Sequence, residues 1–172
     1  MSRALIDRIR TIPVVHDGAQ ADRTIERIAG ALGAEPARRL VHAVASNSPF
    51  LGQILEREQA WLATAWDTSP EELISSEIAR LDNTTDLPRG DMMALLREAK
   101  RRCSLVIALA DACGAWDLDD VTRALTNLAD STLNAALRHA FRDAVSRGRL
   151  KDCAEACPEN SGLFFLAMGK YG

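Results

Sequence analysis

Two long helical periods, separated by only three or four residues, constrain this chain more than any other feature in it. Asp91 to Cys113 carries Met93, Leu96, Cys103, Val106, Leu109 and Ala110, and Gly114 stops it. Asp117-Leu118-Asp119-Asp120 then opens a second stretch reaching about Ser146, with Leu118, Val121, Leu125, Leu128, Thr132, Leu133, Leu137, Phe141 and Val145 on its apolar side. So short a connection makes the two helices antiparallel neighbours in a hairpin. At about 1.5 Å per residue they would be roughly 34 and 45 Å long. The spacing predicts that Leu109, Leu125, Leu128 and Leu133 are buried.

Further helix starts are written upstream. Ser48-Pro49 is an N-cap followed by proline at the first helical position, and Ser69-Pro70-Glu71-Glu72 adds a capping-box glutamate. The first opens a helix through Leu51, Ile54, Leu55, Glu58, Trp61 and Leu62, and the second runs from about Glu71 to Leu81. Residues 82–90 read as a polar loop. Asp22 to Leu32 and Pro36 to Ala45 are two shorter helices, separated by Gly33. Ala, Leu, Arg and Glu dominate while aromatics make up only 5%, which agrees with a mainly α helical bundle over residues 1–160.

The tail behaves differently. Leu163-Phe164-Phe165-Leu166-Ala167-Met168 has no polar residue and runs into Gly169-Lys170-Tyr171-Gly172. It reads as a buried strand entering a glycine-flanked turn, yet a strand needs a neighbour for its backbone groups and no other segment supplies one. Residues 161–172 are therefore expected to be the start of a second domain, with the chain an amino-terminal piece of a larger protein. A strand followed by glycines and a lysine lets backbone N–H groups approach a phosphate, with the lysine as a point charge; an ordinary strand-ending turn looks the same.

A net charge of −3 gives no electrostatic footprint for nucleic acid. The N-terminus is charged every few residues, which excludes a signal peptide, and the apolar stretch Cys103 to Trp116 is too short to span a bilayer. Both point to the cytoplasm, where the four cysteines are expected as thiols. Cys153 and Cys157, four apart, are read as small buried residues, with metal or redox use the alternative. Asp117, Asp119 and Asp120 superficially offer paired carboxylates for Mg²⁺, but their place at a helix start reads as capping. Arg97, Lys100, Arg101 and Arg102 form a basic cluster, either a solvated face or a contact to nucleotide phosphate or an acidic partner. His16, His42 and His139 read as surface or interfacial residues, and Trp61, Trp66 and Trp116 as helix-packing residues. No residue in the chain is assigned a catalytic or metal-binding role.

Three segments together resemble the adenylyltransferase family that modifies glutamine synthetase. They are Ser46-Asn47-Ser48-Pro49-Phe50-Leu51; the stretch from Leu96-Arg97-Glu98-Ala99-Lys100-Arg101-Arg102 through Ile107-Ala108-Leu109-Ala110-Asp111 to Leu125-Thr126-Asn127-Leu128-Ala129-Asp130; and Leu166-Ala167-Met168-Gly169-Lys170-Tyr171-Gly172. They occur in the family's order. The resemblance implies a helical region preceding a nucleotidyltransferase domain of the DNA polymerase beta type, whose Met-Gly-Lys-x-Gly turn is followed by the metal-holding Ser-Asp-x-Asp. It implies that Gly169, Lys170 and Gly172 line the phosphate side of the nucleotide site. It further implies Mg²⁺ and ATP or phosphate in the full enzyme but none for this chain alone, glutamine synthetase as partner, and a PII-type signalling protein as regulator. By this resemblance the chain starts the half that removes AMP from glutamine synthetase. It departs from the family in that the catalytic Asp-x-Asp lies beyond Gly172, so no turnover is expected from these residues. The rival reading is a stand-alone helical module that binds a protein partner through the long hairpin, with no catalytic activity, nucleic acid or membrane involved.

Overall fold

A computed structural model describes residues 3–28, 30, 32–84, 87–150, 162 and 165–167 of the chain. Among them the regular elements are a 3₁₀ turn at Ile6–Arg8 and the helices α1 Gly18–Arg27, α2 Glu35–Asn47, α3 Pro49–Arg57, α4 Gln59–Ala65, α5 Pro70–Asn83, α6 Arg89–Ala112 and α7 Leu118–Ser146. The expected helical class is therefore found.

Caps account for most of the boundaries. Ser48 Oγ accepts from Leu51 N and Ser69 Oγ from Glu72 N, both at 3.2 Å, and proline follows each serine. Asp117 Oδ1 accepts from Asp120 N at 2.9 Å and starts α7. The first helix begins earlier than its apolar pattern suggests. Asp17 caps it, accepting from Gln20 N at 2.9 Å, so α1 starts at Gly18 and ends by Arg27 rather than running from Asp22 to Leu32. Gly33 does turn the chain, at φ +63°, a conformation side chains avoid.

The helix expected from Ser48 through Leu62 is divided. Glu58, at φ −103° and ψ 18°, separates α3 from α4, although Glu58 N still donates to Ile54 O and Leu62 N to Glu58 O. The divide falls at the residue whose carboxylate is drawn into the interior.

α1 packs on α2 and α3, while α5, α6 and α7 pack on one another; α6 also touches α2 and α3 and so joins the two groups. The main core runs through both groups and includes Leu5, Leu40, Leu55, Leu62, Leu105 and Leu109. A smaller cluster of Leu81, Met92, Ala99 and Ala135 seals the far end of the α5–α6–α7 layer. Residues ahead of α1 form a strap across this body: Leu5 N donates to Thr68 O at 2.9 Å, and Arg10 N and Thr11 N both donate to Cys113 O.

Leu109 and Leu128 are buried as expected, but Leu125 is 47% exposed and Leu133 only half-buried. Leu118 and Met93 also face outward. The reason is that α7 is apolar around more than half its circumference, and small residues win the seam. Ala124, Leu128 and Ala135 meet α5 and α6, because alanine lets helix axes approach, and this turns Leu118 and Leu125 outside.

Of the expected terminal strand, residues 165–167 are described; they belong to no strand, and Phe165 and Leu166 are exposed. Among the described residues no second strand exists to complete a ladder. No described helix is long and apolar enough to cross a membrane.

Candidate functional site

The basic cluster on α6 is split by the fold. Arg101 and Arg102 turn inward, whereas Arg97 and Lys100 remain exposed. Arg101 Nε donates to Glu58 Oε1 at 2.6 Å and Arg102 Nε to Glu58 Oε2 at 3.0 Å. Arg102 continues through Nη1 to Glu77 Oε1 at 3.1 Å and through Nη2 to Glu98. Arg80 completes the set, reaching Glu98 Oε2 at 3.1 Å, while Oε2 of Glu77 lies 3.3 Å from Arg80 Nη1 but out of hydrogen-bonding alignment.

Glu58 and Glu77 are almost fully buried, yet three carboxylates meet three guanidiniums, so no net charge is stranded. Burial works against the charge on Arg102, but its hydrogen bonds to Glu77 and Glu58 and the field of Glu77 and Glu98 outweigh it, raising its pKa. The Trp61 ring lies 5.2 Å below the same guanidinium. This cluster ties the α3–α4 joint to α5 and α6. Arg102 is spent on internal carboxylates through all three of its nitrogens, which leaves it nothing for a phosphate, whereas Arg101 commits Nε to Glu58.

Other candidates resolve into structural roles. Asp117 is a helix cap and Asp120 pairs with Arg123 at 3.3 Å. Among the described residues no group of three His, Cys, Asp or Glu side chains could hold a metal ion. Trp116 Nε1 donates to Glu71 Oε1 at 2.7 Å, and Glu71 also takes a two-pronged contact from Arg8 at 2.7 and 2.9 Å. Trp66 is buried against Gly33. His42 Nε2 lies 3.0 Å from Asp22 Oδ1, a partner on another helix that spacing along the chain does not disclose. Cys103 and Cys113 are buried thiols; burial, aided by Glu77, pushes Cys103 up to about 12, and burial raises Cys113. Cys153, Cys157 and the phosphate-site residues Gly169, Lys170 and Gly172 lie outside the described residues.

A groove able to receive a partner lies elsewhere on the surface. Glu35, Arg38, Arg39 and His42 stand at i, i+3, i+4 and i+7 on α2, one polar stripe. The strap runs beside them, and two adjoining hollows of about 380 and 420 Å³ share Ile12, Glu35 and Arg39. Sequence reading missed this groove because the strap has no periodicity to mark it.

Comparison with known proteins adds what the fold alone cannot. A family model described as glutamate-ammonia ligase adenylyltransferase matches residues 38–172. A bifunctional glutamine synthetase adenylyltransferase/adenylyl-removing enzyme of Caulobacter vibrioides is 34% identical over 175 aligned positions, covering 98% of this chain and 18% of that protein. Proteins of the same name from Bradyrhizobium sp. (strain ORS 278) and Xanthobacter autotrophicus are each 37% identical over 79% of this chain and 14% of their own length. The chain thus spans less than a fifth of these relatives. No solved structure matches it. With the family match running from α2 to the last residue, the chain belongs to the glutamate-ammonia ligase adenylyltransferase family.

Proposed function

We propose that this chain is the helical amino-terminal part of an enzyme that adenylylates and deadenylylates glutamine synthetase, and that it belongs to the adenylyl-removing half. The observation that carries this reading is the family match over residues 38–172 by a chain that accounts for only 14–18% of its relatives. Its helices would then present the first elements of a nucleotidyltransferase domain, with Gly169, Lys170 and Gly172 on the phosphate side of the site. Mg²⁺ and ATP or phosphate belong to the whole enzyme in this account, as does regulation by a PII-type protein in the cytoplasm.

The described residues do not fit a metal centre. The Asp-x-Asp that the chain does contain, Asp117 and Asp119, starts a helix, and the Asp117 carboxylate is occupied by the N–H of Asp120. Phosphoryl-type transfer depends on positioned metal charge, so the 172 residues by themselves should not turn over.

The test is release of AMP from adenylylated glutamine synthetase. The protein made from the whole native reading frame should release it, and the 172-residue chain should not. In the active protein, Lys170→Ala should lower the rate roughly 10- to 100-fold, the loss of one charge-assisted contact. Activity from the short chain alone would overturn the reading, and no activity from the whole frame would favour an interaction module.

A further inference from the structure

The groove between the strap and α2 has three properties that belong together. Arg10, Arg38 and Arg39 line it, and none of their side chains has a carboxylate or carbonyl partner among the described residues. Six other arginines are paired, Arg8, Arg27, Arg80, Arg101, Arg102 and Arg138 each reaching a carboxylate from another element, while Arg23 and Arg97 stand exposed and singly; what marks the groove is that three such arginines share it. Within the groove only Glu35 opposes the three arginines, so a locally basic surface stands on a chain whose net charge is −3.

One wall is apolar. Ile12, Val15 and Ile25 line the hollow of about 380 Å³ beside Arg38 and Arg39, and a small inorganic anion has no use for such a wall. Finally, the strap belongs to no helix or strand over residues 12–15. Val14 O accepts from Asn47 Nδ2 at 2.8 Å, while the N–H groups of Ile12, Val14 and Val15 have no protein acceptor among the described residues. Free backbone donors along a segment outside the helices are groups on which an extended chain can lie.

We propose that this groove docks an extended acidic segment of a partner protein, with carboxylates on Arg10, Arg38 and Arg39 and apolar side chains against Ile12, Val15 and Ile25. Guanidinium groups suit this occupant because each can take a carboxylate through two parallel hydrogen bonds. Alternation of acidic and apolar residues in the segment would match the two walls, since neighbouring side chains of an extended chain point opposite ways. The inference is independent of the enzymatic reading, because it uses only residues 9–47.

A fluorescein-labelled peptide, acetyl-Glu-Leu-Glu-Val-Glu-Leu-amide, tests it by fluorescence anisotropy on the 172-residue chain. Saturable binding is expected, weakened at least about tenfold by the double variant Arg38→Glu, Arg39→Glu and unchanged by Arg97→Glu, an exposed arginine on α6 far along the chain. The two α2 residues are exposed, so the helical circular dichroism of the double variant should match that of the parent, and amide shifts on titration should centre on Val15 and Ile25. Three results would overturn the proposal. They are equal weakening by Arg97→Glu, equal binding of a peptide with serine at each apolar position, and displacement of the peptide by inorganic phosphate or ATP at matching concentration. The second would show that the apolar wall contributes nothing, and the third would assign the groove to small anions.

Discussion

Nε of Arg102 stands 3.0 Å from Oε2 of Glu58, a carboxylate that is 5% exposed and sits where α3 gives way to α4. The contact explains both the split in that helix and the fate of half the basic cluster on α6. A buried charge pair costs desolvation on both sides and is retained only when its partners are well placed, which here means Glu77, Glu98, Arg80 and Arg101 as well.

Removing one member should therefore be far worse than removing several. Glu58→Ala leaves Arg101 and Arg102 without their shared acceptor and is expected to cost about 3–5 kcal/mol in urea unfolding. Replacing Glu58, Arg101 and Arg102 together by leucine or methionine should recover much of that loss. If the single and triple variants unfold at the same urea concentration, the network is not acting as a unit.

Asp117 separates a cap from a metal ligand. Asp117→Asn keeps a side-chain acceptor for the N–H of Asp120 and should change stability by only a few tenths of a kcal/mol, while Asp117→Ala should cost about 1 kcal/mol. Mg²⁺ should leave the melting temperature of all three proteins unchanged. A rise with Mg²⁺ in the parent that Asp117→Asn abolishes would contradict the capping role.

Gly33 and Gly148 share a left-handed backbone, at φ +63° and +67°, but differ in surroundings. A Cβ on Gly33 would stand 3.0 Å from Cδ1 of the buried Trp66, whereas one on Gly148 would meet nothing within 4 Å. Gly148→Ala should cost about 1 kcal/mol and Gly33→Ala about 2–3 kcal/mol, the second with altered tryptophan fluorescence. Equal melting points for the two variants would remove the packing part of the argument.

The Cys103 thiol is held up to about 12 against an ordinary 9.0, chiefly by burial and then by Glu77. The unfolded chain thus releases this proton before the folded one does. The associated stability is fully present below pH 9.0 and is lost as pH rises from there to about 12, at up to about 1.4 kcal/mol per pH unit. Urea unfolding at pH 8 and pH 10.5 should show the decline, and Cys103→Ala should reduce it, leaving the smaller part that comes from the Cys113 thiol, which burial also pushes up. Alkylation by iodoacetamide at pH 8 should be slow for Cys103 until the chain unfolds, because the thiolate is the nucleophile.

Much of the helical framework was legible from local chemistry. Ser48, Ser69 and Asp117 are acceptors placed before runs of helix formers, and each caps the helix assigned to it. Asp17 carries the same signal and could have been found by the same rule, since Asp-Gly before a helix-forming stretch is a start. The hairpin of α6 and α7 followed from its short connection, and both helices end within a residue or two of their expected limits. The candidate phosphate residues Gly169, Lys170 and Gly172 came from resemblance, and lie outside the described residues.

Capping and period are local, because a hydroxyl or carboxylate meets an N–H three residues away and a helix repeats its face every turn; these the order of residues states directly. Which of two neighbouring stripes on α7 is buried is not local. Leu125 and Ala124 are both apolar, and only the close approach of α5 and α6 selects the smaller one for the seam. The partners of Arg102, 25 and 44 residues away at Glu77 and Glu58, are equally invisible along the chain, as is the strap that meets Arg38 and Arg39. Long-range charge pairing and groove formation depend on distances that exist only once the helices have packed, and spacing in the sequence carries no record of them.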